Sequence, residues 1–131
     1  MVSSVYAGVA TLLVVWLTLQ VVGLRRARKV SLGDGGDPQL RNTIRSHGNA
    51  VETIPLSLIL LTLAELSGAP PVLLHGCGTA LLIGRGLHAR GLLAESMGMR
   101  VMGMRLTVFA QISLSLANLW YASAAGLNGS G

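Results

Sequence analysis

The first 24 residues contain no charged side chain, and this uninterrupted apolar stretch restricts the possible folds more than any other feature. As a helix rising about 1.5 Å per residue, residues 1–24 can cross a hydrocarbon layer of about 30 Å. A basic cluster follows the segment and no basic residue precedes it, which is the wrong charge order for a cleavable signal peptide. We therefore predict a retained membrane-spanning helix.

Three further apolar blocks follow, separated by segments rich in glycine, proline or basic residues. The helices are predicted at about residues 2–24, 38–66, 72–90 and 104–126, within a single domain of residues 1–131. Asp37 followed by Pro38 is typical of a helix start. Only 11% of the residues are charged, too few to cover a soluble domain of this size. The sequence predicts an all-α polytopic membrane protein, a bundle of four transmembrane helices.

The basic residues indicate an orientation in the membrane. Residues 25–45 contain six arginines or lysines and residues 85–105 contain four, whereas both termini and the segment between the second and third helices contain none. Because basic loops stay in the cytoplasm, loops one and three are predicted to be cytoplasmic and both termini to lie on the outer side.

Several functional classes do not fit the composition. The net charge of +5 could suggest nucleic acid, but the basic residues lie between hydrophobic blocks and aromatic residues make up only 4% of the chain. The three histidines are scattered, so no metal site is predicted. The single cysteine, Cys77, cannot form an intrachain disulfide and is predicted to be a buried apolar residue.

One face of the second helix gathers the polar residues that could bind a ligand. At 100° per residue around the helix axis, Arg41 lies at roughly 0°, Arg45 at 40°, Asn49 at 80° and Glu52 at 20°, so all four share one face. Arginine binds carboxylates, an asparagine adds a neutral donor and acceptor, and a glutamate suits an ammonium group. This combination indicates an anionic, amino-acid-like ligand with a free amine.

The third helix offers partners for that face, and a simpler interpretation stays open. Arg85 and His88 are three residues apart and share a side of the helix. Ionisable groups at membrane depth usually face the bundle interior or a cavity. Alternatively, Glu52 only neutralises Arg45 or Arg85, and the other arginines extend to lipid headgroups.

Two motifs resemble a known family. The segment RSHGNAVETIP at residues 45–55 is similar to the second-helix signature of the MAPEG family, the membrane-associated proteins of eicosanoid and glutathione metabolism. The segment GRGLH at residues 84–88 is similar to the third-helix motif of that family. The four-helix layout agrees over nearly the whole chain, and the nearest resemblance is to small members of the bacterial inner membrane. The resemblance implies a homotrimer in that membrane, so that the outer side predicted for both termini is the periplasm.

The resemblance also implies that glutathione is a co-substrate, bound near the cytoplasmic side between neighbouring subunits. The residues implied to hold it are Arg45, Asn49, Glu52, Arg85 and His88, with Arg25 or Arg26 of the adjacent subunit. Arg105 is the candidate for stabilising the thiolate. Family enzymes often have a tyrosine where this chain has Leu92, and Thr107 is the nearest hydroxyl at the start of the fourth helix.

The expected function is the transfer of glutathione to a lipophilic electrophile, or the glutathione-dependent reduction of a lipophilic peroxide. The expected partners are membrane lipids, further copies of the chain and a lipophilic small molecule, and no nucleic acid. The main alternative is a non-catalytic lipid- or ligand-binding scaffold of the same fold. A third possibility is a small four-helix multidrug transporter. Such transporters use a buried carboxylate in the first helix, and residues 1–24 contain none.

Overall fold

The computed structural model describes residues 1–128, which form four α-helices and no strand. The helices are α1 (Val2–Arg28), α2 (Pro38–Leu66), α3 (Pro71–Leu93) and α4 (Met97–Asn128). The all-α prediction is confirmed. Three of the helices are longer at the loops than the predicted apolar blocks, because α1 continues through the basic cluster to Arg28 and α4 begins at Met97.

The loop between α1 and α2 is closed by defined caps. Lys29 ends α1 in the left-handed conformation at φ 55°, and the backbone N–H of Val30 donates to the Arg25 carbonyl at 3.0 Å. Asp37 caps α2 by accepting from the Leu40 N–H at 3.0 Å, with Pro38 in the first turn. The predicted helix start at Asp37 is therefore confirmed.

Within the described residues, α3 packs on α1, α2 and α4, while the backbones of α1 and α4 do not come close to each other. The α3–α4 contact is close because glycines face each other across it. A Cβ added to Gly103 would lie 2.5 Å from the Gly84 carbonyl oxygen, and one added to Gly84 would lie 2.7 Å from Thr107 Oγ1. This approach brings the polar side chains of α3 and α4 together.

The bundle has two chemically different ends. We call the end with loop 29–37 and turn 94–96 the basic end, because all ten arginines and lysines lie in its half of the helices. The end with residue 1 and turn 67–70 is the opposite end. There, the Glu65 carboxylate accepts from the backbone N–H groups of Val2 and Ser3, so it caps α1 from another helix.

A second contact at the opposite end centres on a buried tyrosine. The Tyr6 hydroxyl lies 2.9 Å from His75 Nδ1 and 3.1 Å from Thr79 Oγ1, and it donates to the His75 carbonyl at 3.2 Å. Its ring packs so closely on α3 that a Cβ at Gly78 would lie 2.6 Å from it. Cys77 is buried in the same apolar cluster, which confirms its predicted role.

The outside of the bundle is strongly apolar, as expected of a surface in contact with lipid. Among the described helices, α1 and α2 are long and apolar enough to cross a membrane. Large apolar side chains are exposed on α1, α2 and α4, including Leu12, Leu19, Ile59, Phe109, Leu116 and Trp120.

Candidate functional site

The polar face of α2 forms a cleft at the basic end. Arg45, Gly48, Asn49 and Glu52 line this cleft, which has a volume of about 170 Å³. A Cβ at Gly48 would meet no atom within 4 Å, so the cleft is open above that residue. Arg41 shares the face but is turned into the loop, where its Nε donates to Asp34 Oδ2 at 2.6 Å. The structure thus brings together three of the predicted binding residues.

The two charged residues of the cleft have no partner in the part of the chain that the structure describes. Neither Glu52 nor Arg45 forms an ion pair or a side-chain hydrogen bond within residues 1–128. The described part of the chain therefore contains neither the Glu52–Arg45 nor the Glu52–Arg85 pair of the simpler interpretation. Neighbouring charged groups that have no ion-pair partner form a surface that a zwitterionic or anionic ligand can complement.

The other carboxylates at the basic end are already bound by the protein. Asp37 Oδ2 accepts from Arg28 Nε at 2.6 Å, and Glu95 Oε1 accepts from Asn42 Nδ2 at 3.3 Å. The Arg41 guanidinium and the Gly36 N–H hold the pKa of Asp34 below its usual value. The Leu40 N–H and Arg28 lower the pKa of Asp37 in the same way. These contacts close the loop and leave Glu52 as the available acid.

Arg85 lies behind the cleft, in the interior of the bundle. Only 2% of this residue is exposed, yet its side chain is charged. Its Nε donates to Thr107 Oγ1 at 2.8 Å, its Nη1 donates to Asn49 Oδ1, and its Nη2 has no partner within the described residues. Arg85 therefore joins α2, α3 and α4 at one point, directly beside the cleft.

The arginines predicted to act from α1 and α4 do not line this cleft in the single chain. Arg25 donates from Nη1 to the Gly33 carbonyl at 2.7 Å, and both Arg25 and Arg26 line a separate cleft of about 390 Å³ on α1. Arg105 is exposed on the outer side of α4, beside an apolar groove of about 510 Å³ that includes Phe109.

His88 and Leu92 lie on α3, nearer the basic end. A Cβ added to Gly103 would lie 2.5 Å from the backbone nitrogen of His88, so His88 packs closely against α4. Leu92 is buried at 8% exposure, in the position where family enzymes often carry a tyrosine. It contributes an apolar contact and no hydroxyl.

Sequence reasoning missed three contributions. Thr107 accepts from Arg85 and donates to the Gly103 carbonyl at 2.9 Å, although its hydroxyl was considered only as a replacement for a family residue. Arg100 packs on Gly91, and its Nε is buried without a partner in the described chain. The sequence predicted a loop at Arg100, where a buried contact is not expected. The cap provided by Glu65 depends on tertiary structure, and no local pattern indicates it.

Comparisons with known proteins identify the family of the chain. The profile of the MAPEG family matches residues 3–120, which is nearly the whole chain. The chain belongs to the MAPEG family. It is 42% identical over 121 residues to the inner membrane protein YecN of Escherichia coli K12, covering 92% of each chain. It has the same identity and coverage with YecN of Escherichia coli O6:H1. This MAPEG protein is thus a membrane protein, and its relatives are inner membrane proteins.

Proposed function

We propose that this MAPEG protein binds glutathione in the cleft of α2 and uses it against lipophilic electrophiles, either by transferring glutathione to them or by reducing peroxides. The observation that carries the proposal is the pair of uncompensated charges, Arg45 and Glu52, on either side of Asn49. Arg45 would bind a carboxylate of glutathione, Asn49 a neighbouring polar group, and Glu52 the free ammonium. The tripeptide carries all three groups.

The remaining residues would act from the surroundings of the cleft. Arg85 and His88 would line the deeper side of the site, and Arg25 or Arg26 of an adjacent subunit would close it. Because Arg25 and Arg26 line a different cleft in the single chain, this arrangement requires the homotrimer that we propose for the protein. Crosslinking in mild detergent should give a trimer as the largest species, and a monomer with full glutathione affinity would contradict this part.

Catalysis would require activation of the glutathione thiol. A free thiol titrates near a pH of about 8.5, and only its thiolate is a strong nucleophile. A nearby guanidinium lowering that pKa by about one to two units would contribute about 1.4 to 2.7 kcal/mol. In transfer, the thiolate sulphur would form a bond to the electrophilic carbon while the bond from that carbon to its leaving group breaks. In peroxide reduction, the thiolate would attack one peroxide oxygen, the O–O bond would break and the other oxygen would leave as the alcohol after taking up a proton. A second glutathione would then reduce the sulphenic acid to give glutathione disulphide and water. Arg105 is the residue that we propose for this task, in a trimer that brings it to the thiol of a neighbouring site.

Glutathione titration of the purified protein tests both parts of the proposal. Heat and the ultraviolet thiolate signal are recorded together in mild detergent. Heat with a thiolate signal at neutral pH is the expected result. No heat at millimolar glutathione would contradict the proposal.

The Arg105→Ala variant separates activation from binding. We expect the heat of glutathione binding and the trimer to persist, while the thiolate signal and the activity disappear, because Arg105 lines none of the cleft around Asn49. Arg90→Ala is the matched control for loss of one exposed cation at the basic end. Unchanged activity in Arg105→Ala would exclude this role for Arg105.

A second candidate function is ligand binding without catalysis. Two observations favour it over an efficient enzyme. Leu92 is buried where a tyrosine hydroxyl would be needed, and the Thr107 hydroxyl is already used by Arg85 and Gly103. Heat of binding without a thiolate signal at neutral pH would support this candidate.

We further propose that all four helices cross the bacterial inner membrane, with the basic end in the cytoplasm and both termini in the periplasm. The positive charge of loops one and three supports this orientation. Single cysteines introduced at Ser31 and Ser67, in a chain whose Cys77 is replaced by alanine, test it in intact cells. We expect an impermeant thiol reagent to label position 67 only, and labelling of position 31 only would contradict it.

A further inference from the structure

The Asn49 side chain lies between the buried Arg85 and the open cleft. Its Oδ1 accepts from Arg85 Nη1, and the residue also lines the cleft beside Arg45 and Glu52. A guanidinium has only donors and an amide has one accepting oxygen, so the chemistry alone determines which Asn49 atom meets Arg85. The oxygen is held inward, and the amide cannot flip without placing donors against donors.

The amide nitrogen of Asn49 is consequently the atom left for a ligand. Asn49 Nδ2 has no hydrogen-bond partner within residues 1–128, and it is not fully buried. The neighbouring Gly48 has no side chain to cover it, and the space there is open. The cleft therefore presents donors from Arg45 and Asn49 and an acceptor from Glu52.

Arg85 has little freedom to release the amide. The residue is 2% exposed, and its Nε is bound to Thr107, whose hydroxyl is bound to the Gly103 carbonyl. Its Nη2 is already unpartnered in the described chain, so a turn away from Asn49 would leave two or more buried donors without acceptors. No carboxylate of the described residues pairs with Arg85, so its positive charge also favours an anionic oxygen nearby.

We infer that Arg85 is a positioning residue that fixes Asn49 as a hydrogen-bond donor, so that the cleft selects a ligand oxygen of a carboxylate or carbonyl group between Arg45 and Glu52. The identity of that ligand as glutathione rests on the proposed function. The donor role of Asn49 does not, since it follows from the contact with Arg85.

The Asn49→Asp variant separates the two sides of this side chain. Aspartate keeps an oxygen for Arg85 but replaces the cleft-facing N–H₂ by a second acceptor. We expect thermal unfolding in detergent at or above the wild-type temperature, and a glutathione Kd raised about tenfold or more. The loss should persist at high salt, because a missing donor is not screened as an added charge is. Wild-type affinity in this variant would overturn the inference.

Nuclear magnetic resonance of the side-chain amide gives a measurement that a purely structural role would not change. The Asn49 N–H₂ signal is identified by its absence in Asn49→Asp. Glutathione should shift it in the wild type, not in Arg85→Met, and partly in Arg85→Lys, whose ammonium is also a pure donor. Should Arg85→Met fail to fold, Arg85→Lys and the wild type suffice. A wild-type signal unmoved by bound glutathione would overturn the inference.

Acetate as a second probe keeps this test independent of the proposed function. Absence of any glutathione binding would contradict the proposed function alone. A titration with acetate then asks whether a bare carboxylate reaches the Asn49 donor. A shift of the Asn49 signal with acetate that weakens in Arg85→Lys supports the inference, and no shift with either probe overturns it.

Discussion

The two ends of the bundle use charged and polar side chains in opposite ways. At the opposite end, the Glu65 carboxylate and the Tyr6 hydroxyl are both satisfied by backbone and side-chain groups of other helices. The basic end carries ten basic and four acidic side chains, a net charge of 10 − 4 = +6, and leaves Glu52, Arg45 and one nitrogen of Arg85 without partners in the described chain.

The comparison is sharpest between two glutamates of the same helix. Glu52 and Glu65 are separated on α2 by about 20 Å at 1.5 Å per residue. Glu65 binds the first N–H groups of α1, whereas Glu52 binds nothing in the described chain. A satisfied charge contributes to stability, and an unsatisfied one is available for recognition. The opposite end therefore holds the helices together, and the basic end is where we propose that the ligand binds.

The largest predicted effect changes both stability and ligand binding at the basic end. Gly103→Ala would place a Cβ 2.5 Å from the Gly84 carbonyl, so α3 and α4 must separate. We expect the free energy of unfolding to fall by about 1–3 kcal/mol and glutathione affinity to fall with it, because Thr107 and Arg85 move apart. Denaturant unfolding in micelles and calorimetry measure the two effects.

Gly86→Ala is the matched control for Gly103→Ala. Its added Cβ meets no atom within 4 Å, so stability should stay level or rise by up to about 1 kcal/mol, the helical advantage of alanine. Equal losses in the two variants would show that close packing of α3 on α4 does not support the site.

The next effect isolates the opposite end. Tyr6→Phe removes a hydroxyl that contacts His75 and Thr79 and leaves the ring packed on Gly78. We expect a loss of about 0.5–1.5 kcal/mol in the free energy of unfolding, and no change in glutathione affinity. Tyr121→Phe is the control, since the Tyr121 hydroxyl makes no hydrogen bond within residues 1–128, and it should be neutral. A weaker glutathione affinity in Tyr6→Phe would break the division between the ends.

The smallest effect concerns the loop, and it depends on pH. Because the folded pKa values of Asp34 and Asp37 are lowered, their contribution is complete above their ordinary pKa of about 4 and is lost as pH falls through the folded values. Hydrogen-exchange protection of the Gly36 and Leu40 amides, which donate to these carboxylates, should drop in that acidic range. Protection that does not change on acidification would contradict the role of these caps.

Sequence reasoning captured what depends on local pattern. The apolar blocks, the Asp37–Pro38 start of α2 and the common face of Arg45, Asn49 and Glu52 follow from composition and helical periodicity. Homotrimer formation, glutathione binding and the role of Arg105 stay predictions.

The features that escaped depend on contacts between distant residues. Nothing local in the sequence indicates that Arg85 reaches Asn49 and Thr107, or that Glu65 caps a helix 62 residues earlier in the chain. The absence of a Glu52 ion pair among the described residues is also a tertiary property, because Arg45 and Arg85 were both plausible partners by spacing alone.

The most direct test of the division between the ends compares Glu52→Gln and Glu65→Gln with the wild type. Calorimetric titration measures glutathione affinity, and thermal unfolding in detergent measures stability. Both variants remove one carboxylate charge from α2 with nearly the same shape. We predict that Glu52→Gln unfolds like the wild type but loses glutathione affinity about tenfold or more, because a charged hydrogen bond to the ammonium is lost. Glu65→Gln should unfold at a lower temperature and bind normally. Equal affinity in the two variants would contradict the account.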